Sequence, residues 1–88
     1  MVRVFKSRQF EKQFAKLPVS VQEAYFERMK LFVAHRQHPL LHDHALTREW
    51  IGHRSINVTG NYRAVYWEIT DDSLEFVAIG THPQLYRM

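Results

Sequence analysis

Apolar and polar positions change their period once along this chain, and the change separates a helical first half from a strand-rich second half. In residues 2–6, Val2, Val4 and Lys6 alternate against Arg3 and Phe5, the period of a short strand. Ser7 is placed to N-cap a helix over residues 8–17, where Phe10, Phe14 and Leu17 recur at i, i+4 and i+7. Pro18 ends it. Ser20-Val21-Gln22-Glu23 has the form of a capping box, with Val19 placed to staple against Ala24. A second helix then runs over 20–38 to a stop at Pro39, with Val21, Tyr25, Arg28 or Met29, and Phe32 on its inner stripe. Two helices joined by a tight Pro turn predict an antiparallel hairpin.

Residues 39–49 (PLLHDHALTRE) carry no period and read as a loop. After them the pattern alternates. Residues 50–58, 62–70 and 74–80 are rich in β-branched and aromatic side chains, with turn sequences at Thr59-Gly60-Asn61 and Thr70-Asp71-Asp72-Ser73. The predicted order is β-α-α-β-β-β, an α+β fold with the helical hairpin on one face of a mostly antiparallel sheet. Phe10, Phe14, Leu17, Tyr25, Phe32, Val65 and Phe76 are expected to be largely buried. At 88 residues and 45% hydrophobic content, a single domain over 1–88 can build its own core. With no cysteine, neither a disulfide nor a thiolate zinc site supports it. The start of the chain lacks the apolar stretch of a signal peptide, and no run reaches the roughly 18 apolar residues of a membrane span. A cytoplasmic protein without a membrane partner is expected.

Charge adds a direction. The chain carries twelve Lys and Arg against nine Asp and Glu, a net charge of +3. The excess lies in residues 1–44, which hold eight basic and four acidic side chains. Such a domain suits phosphate or an acidic protein.

Among residue types that carry chemistry, four of the six histidines (His35, His38, His42 and His44) fall within ten residues, at spacings a metal can use. Their positions at a helix end and in a loop favour surface histidines instead. Asn57-Val58-Thr59 matches a glycosylation pattern but reads as a strand end. Trp50, Tyr66 and Trp67 read as core residues of strands. The segment after the last strand is more specific: Gly80 lets the backbone turn, so that His82 and Tyr86 emerge at the sheet edge. Arg63 starts the preceding strand, and Arg54 lies on its hairpin partner. A histidine, a phenol and two guanidiniums at one sheet end suit an RNA phosphate. Cleavage by the 2′-hydroxyl needs a base, an acid for the departing 5′-oxygen, and cations where charge builds. A ring can stack a splayed base.

Three segments then act together: Asp43-His44-Ala45-Leu46, residues 50–66 with Tyr62-Arg63-Ala64-Val65-Tyr66, and Gly80-Thr81-His82-Pro83-Gln84-Leu85-Tyr86. With the opening FKSRQFEKQFAKLP, they resemble the RelE/ParE toxin superfamily, and most closely its YafQ-like branch, over nearly the whole chain. The resemblance implies the toxin of a type II toxin–antitoxin pair, a metal-independent and cofactor-free endoribonuclease that cuts mRNA on the ribosome. Its implied partners are the ribosome, mRNA and a cognate antitoxin with an acidic or partly disordered segment, joined in a hetero-oligomer. It assigns catalysis to His44, His82, Arg63 and Tyr86, and RNA-phosphate contact to Arg63 with Arg54.

The chain departs from that pattern at three positions: Asn57 stands where relatives carry His, Asn61 where they carry Asp, and Ala78 where they carry Arg. Asparagine exchanges no proton near neutral pH. His44 and His82 then remain as proton carriers, and weakened activity is expected. Two other readings stay open: a ParE-like toxin acting on gyrase, and an inactive toxin that only binds its antitoxin.

Overall fold

The Ser7 hydroxyl accepts the Phe10 amide at 3.0 Å, so the chain turns at Ser7 from strand into helix. The computed structural model describes residues 2–86: β1 (Arg3–Lys6), α1 (Arg8–Ala15), α2 (Val19–Ala34), β2 (His44–Ala45), β3 (Arg54–Asn57), β4 (Tyr62–Thr70), β5 (Ser73–Thr81) and a one-turn α3 (His82–Leu85). The strands form one sheet in the order β1-β5-β4-β3-β2, with β1 parallel to β5 and the other pairs antiparallel. This is the expected α+β architecture.

Residues opposite one another in a ladder share a face. The register therefore puts Ile56, Ala64, Tyr66, Phe76 and Ile79 on the face that meets the helices. Phe10, Val21, Tyr25 and Phe32 cover that face, and all of these residues are buried. Ser55, Asn57, Arg63, Val65, Ala78 and Gly80 fall on the opposite face. The candidate site is built on that second face.

Several local expectations are corrected. The second helix begins at Val19, before Ser20, because the Pro18 carbonyl already accepts the Val21 and Gln22 amides at 3.0 and 3.1 Å. Ser20 then lies inside the helix, and no side chain caps the end. Gln22 instead donates to the carbonyls of Phe14 and Leu17, closing the end of α1. The helix stops at Ala34 rather than at 38, since His35 turns extended and brings Arg36 back over the Phe32 and Tyr66 rings. Phe14 and Leu17 are half-buried at the rim of the core, Phe14 against the rings of Tyr25 and Phe26. Residues 50–53 form turns rather than strand, and Trp67 is exposed. The region read as a loop holds the two-residue strand β2, paired with Arg54 and Ser55.

Candidate functional site

Four positions, two on strands and two at the helical turn after β5, converge on one cleft of about 370 Å³. His44 comes from β2, Arg63 from the start of β4, and His82 and Tyr86 from α3 and the residue that follows it. Edge strand β2 exists because His44 and Ala45 pair with Ser55 and Arg54, which lifts His44 out of the loop and onto the sheet. Arg63 opposes Gly80 across the β4–β5 ladder. Its Nη1 donates to the carbonyls of Thr59 and Gly60 at 3.3 and 3.1 Å, which sets the guanidinium over the β3–β4 turn.

His82 is fixed by local sequence. Thr81 and Gln84 form a reciprocal capping box: the Thr81 amide donates to Gln84 Oε1 at 2.8 Å, and the Gln84 amide to Thr81 Oγ1 at 3.4 Å. His82 begins the turn so made. The Tyr86 amide closes it onto the His82 carbonyl at 2.9 Å, and the two rings meet edge-on at 4.6 Å. Tyr86 thus packs on His82, and its hydroxyl, like Asn57 Oδ1 and Ser55 Oγ, is buried without a hydrogen-bond partner among the described residues. Gly80 does not adopt the left-handed region. The position demands space instead, because a Cβ there would stand 2.8 Å from Gln84 Oε1.

Arg54 is not in the cleft. Its Nε donates to Asp43 Oδ1 at 2.9 Å on the helix-facing side of the sheet. That position corrects the expectation of a second phosphate-contacting guanidinium there. The cleft contains Arg48 instead, together with His42, Glu49 and Trp50; of these the sequence pattern offers His42 only as a metal ligand and Trp50 only as a core residue, and it does not reach Arg48 or Glu49. Trp50 belongs to the cleft wall rather than to the core, with its Nε1 donating to the Leu85 carbonyl at 2.8 Å. Backbone strain was the missing signal. The described non-glycine residues with positive φ are His42 (47°) and Arg48 (58°), and both line this cleft. Strain of this kind persists only where the surroundings enforce it.

The four clustered histidines separate into pairs, His35 with His38 and His42 with His44, with ring centroids 6.4 and 4.8 Å apart. Among the described residues, no three His, Asp or Glu side chains are arranged to hold a metal. Asn61 lies on the rim of an adjacent cleft that also includes His82, and Ala78 is fully buried opposite Val65. The arrangement can exchange protons at His44 and His82 and hold an anion at Arg63 and Arg48.

The family described as bacterial toxin of type II toxin-antitoxin system, YafQ, matches residues 2–87. No curated protein matches the chain. Among solved structures, E. coli YafQ superposes with a TM-score of 0.77 at 25% identity, covering 98% of this chain and 99% of that one. The match to the E. coli DinJ–YafQ complex has a TM-score of 0.76 at 26% identity, covering 98% and 99%. A YoeB/ParE toxin from Agrobacterium tumefaciens shares the fold at 14% identity, with a TM-score of 0.74 and coverage of 92% and 99%.

Proposed function

Because the chain belongs to the YafQ family of bacterial type II toxins, we propose that it is a metal-independent endoribonuclease that cuts mRNA on the ribosome. The observation that carries this reading is the convergence of His44, Arg63, His82 and Tyr86 on one cleft from β2, β4 and the α3 turn. His44 accepts the proton of the 2′-hydroxyl, whose oxygen attacks the adjacent phosphorus. The bond to the 5′-oxygen breaks, and His82 supplies the proton that this oxygen needs to depart. Arg63, with Arg48 across the cleft, offsets the charge that builds on the phosphorane. Tyr86 holds the His82 ring in place, and Trp50 offers an aromatic wall for a splayed base. Two histidines thus cover both proton transfers that Asn57 and Asn61 cannot perform.

The partner in this reading is a cognate antitoxin that folds on binding. E. coli YafQ is crystallised with DinJ. The net charge of +3 favours an acidic segment, and the sheet order leaves β1 and β2 with an open edge each.

Single-turnover cleavage on programmed ribosomes tests the enzyme. His44→Gln and His82→Gln should each lower the rate by about 10²–10⁴. Arg63→Ala should cost about 2.7–4 kcal/mol of transition-state stabilisation. Cleavage should survive EDTA and vanish with a 2′-deoxy residue at the cut. Unchanged rates in both histidine variants would overturn the acid–base scheme. Intact mRNA with blocked gyrase supercoiling would assign the toxin to the ParE-like activity.

A further inference from the structure

The residue before His44 is a carboxylate withdrawn from solvent, with 2% of the Asp43 side chain exposed. Both of its oxygens are engaged. Arg54 Nε donates to Oδ1 at 2.9 Å, the Tyr66 hydroxyl donates to Oδ2 at 2.6 Å, and Arg36 Nε stands 3.7 Å from Oδ2. Arg36 is itself paired with Glu68 and lies over the rings of Phe32 and Tyr66. A carboxylate at this depth persists only with such partners. Here they come from the segment after α2, from β3 and from β4.

On the other side of the same turn, Leu41 is fully buried in the core. Between these two anchors His42 takes φ 47°, a left-handed conformation that is unfavourable for a non-glycine residue. The twist aims the His42 carbonyl at His44, whose Nδ1 lies 2.8 Å from that oxygen. A carbonyl oxygen only accepts, so this bond requires the hydrogen on Nδ1. In neutral His44 the lone pair is then on Nε2.

We infer that Asp43 is a positioning residue: by clamping the strained His42–His44 turn, it holds neutral His44 as the Nδ1–H tautomer with Nε2 as its basic atom. This rests on the reading of His44 as the base. It also gives Arg36, Arg54 and Tyr66 a role in catalysis without contact with RNA, as the groups that hold the clamp itself. His42 enters through its backbone, so its ring is dispensable for the effect.

The ¹⁵N spectrum of the histidine rings in the full-length protein, recorded without RNA, tests the inference independently of turnover. The wild-type protein should show His44 protonated at Nδ1 and bare at Nε2. His42→Gly, which keeps the carbonyl and tolerates the positive φ, should show the same tautomer. Asp43→Asn keeps the volume and one acceptor but loses the charge. It should show a mixture of the two tautomers and, on ribosomes, a fall of about 10²-fold in kcat with KM little changed. A wild-type His44 carrying its hydrogen on Nε2 overturns the inference, whether or not Asp43→Asn folds. So does a folded Asp43→Asn protein with the wild-type tautomer. A wild-type protein that shows the Nδ1–H tautomer yet leaves mRNA intact supports the clamp and refutes the ribonuclease reading alone.

Discussion

Truncating Phe76 to alanine should remove a large part of the stability of this domain. The side chain is fully buried in the middle of β5, between β1 and β4. Its ring centroid stands 5.9 Å from that of Phe10, 5.8 Å from Tyr25, 5.6 Å from Phe32 and 5.2 Å from Tyr66. Burying a phenylalanine and then emptying its site costs about 3–5 kcal/mol, depending on how far the surroundings collapse. Collapse is restricted here, because β5 is hydrogen-bonded on both edges and three of the four rings belong to helices packed on the same face. The upper part of that range, about 4–5 kcal/mol, is expected. A domain of 88 residues has roughly 4–13 kcal/mol in total at about 0.05–0.15 kcal/mol per residue. Phe76→Ala should therefore leave the free toxin marginal, while Phe14→Ala, at the half-buried rim, should cost about half as much. Urea denaturation of the antitoxin-free protein, followed by circular dichroism, measures both. A cycle with Phe10→Ala should show coupling of about 0.5–3 kcal/mol, since the two rings touch. A loss below about 1 kcal/mol for Phe76→Ala at unchanged m-value would refute the core described above.

Burial, then the Asp43 carboxylate, pushes the Tyr66 hydroxyl above its ordinary pKa of 10.0; burial, then Glu11, does the same for Tyr25. The unfolded chain releases these protons from about pH 10 while the folded one retains them, so this stability is complete below pH 10 and is lost as pH rises through the folded values. Tyr66→Phe should cost about 1.5–3 kcal/mol at pH 7 by depriving Asp43 of a donor, and should make the alkaline decline shallower. Urea midpoints from pH 7 to 11 measure both effects, and parallel slopes for the two proteins would contradict the assignment. Gly80→Ala would force Gln84 Oε1 away from a Cβ 2.8 Å distant and so break the capping box that seats His82. The expected result is a stability loss on the order of 1 kcal/mol together with slower cleavage, and a wild-type rate would show that the box does not position His82.

Periodicity was enough for elements whose residues answer to one dominant force. Val21, Tyr25 and Phe32 repeat at helical spacing along α2, and the strands after residue 54 alternate, because each must bury one side. Ser7 acts within four residues of chain, so its cap is a local property; the Thr81–Gln84 box is equally local, although no helix is predicted there. The motifs around His44, Arg63 and His82 were legible for the same reason. What depends on distant partners was not. β2 is a strand only because Arg54 and Ser55 lie beside it, and Trp50 leaves the strand pattern because the Leu85 carbonyl is within reach. Arg54 has the composition of a phosphate ligand, yet a buried carboxylate eleven residues earlier claims it. His42 and Arg48 occupy a strained conformation that no residue type there announces. The alternation that buries one side of an element is written in local order along the chain, whereas the start of α2, the pairing of a charge and the strain of a turn are decided by whichever groups the fold brings within a few ångströms.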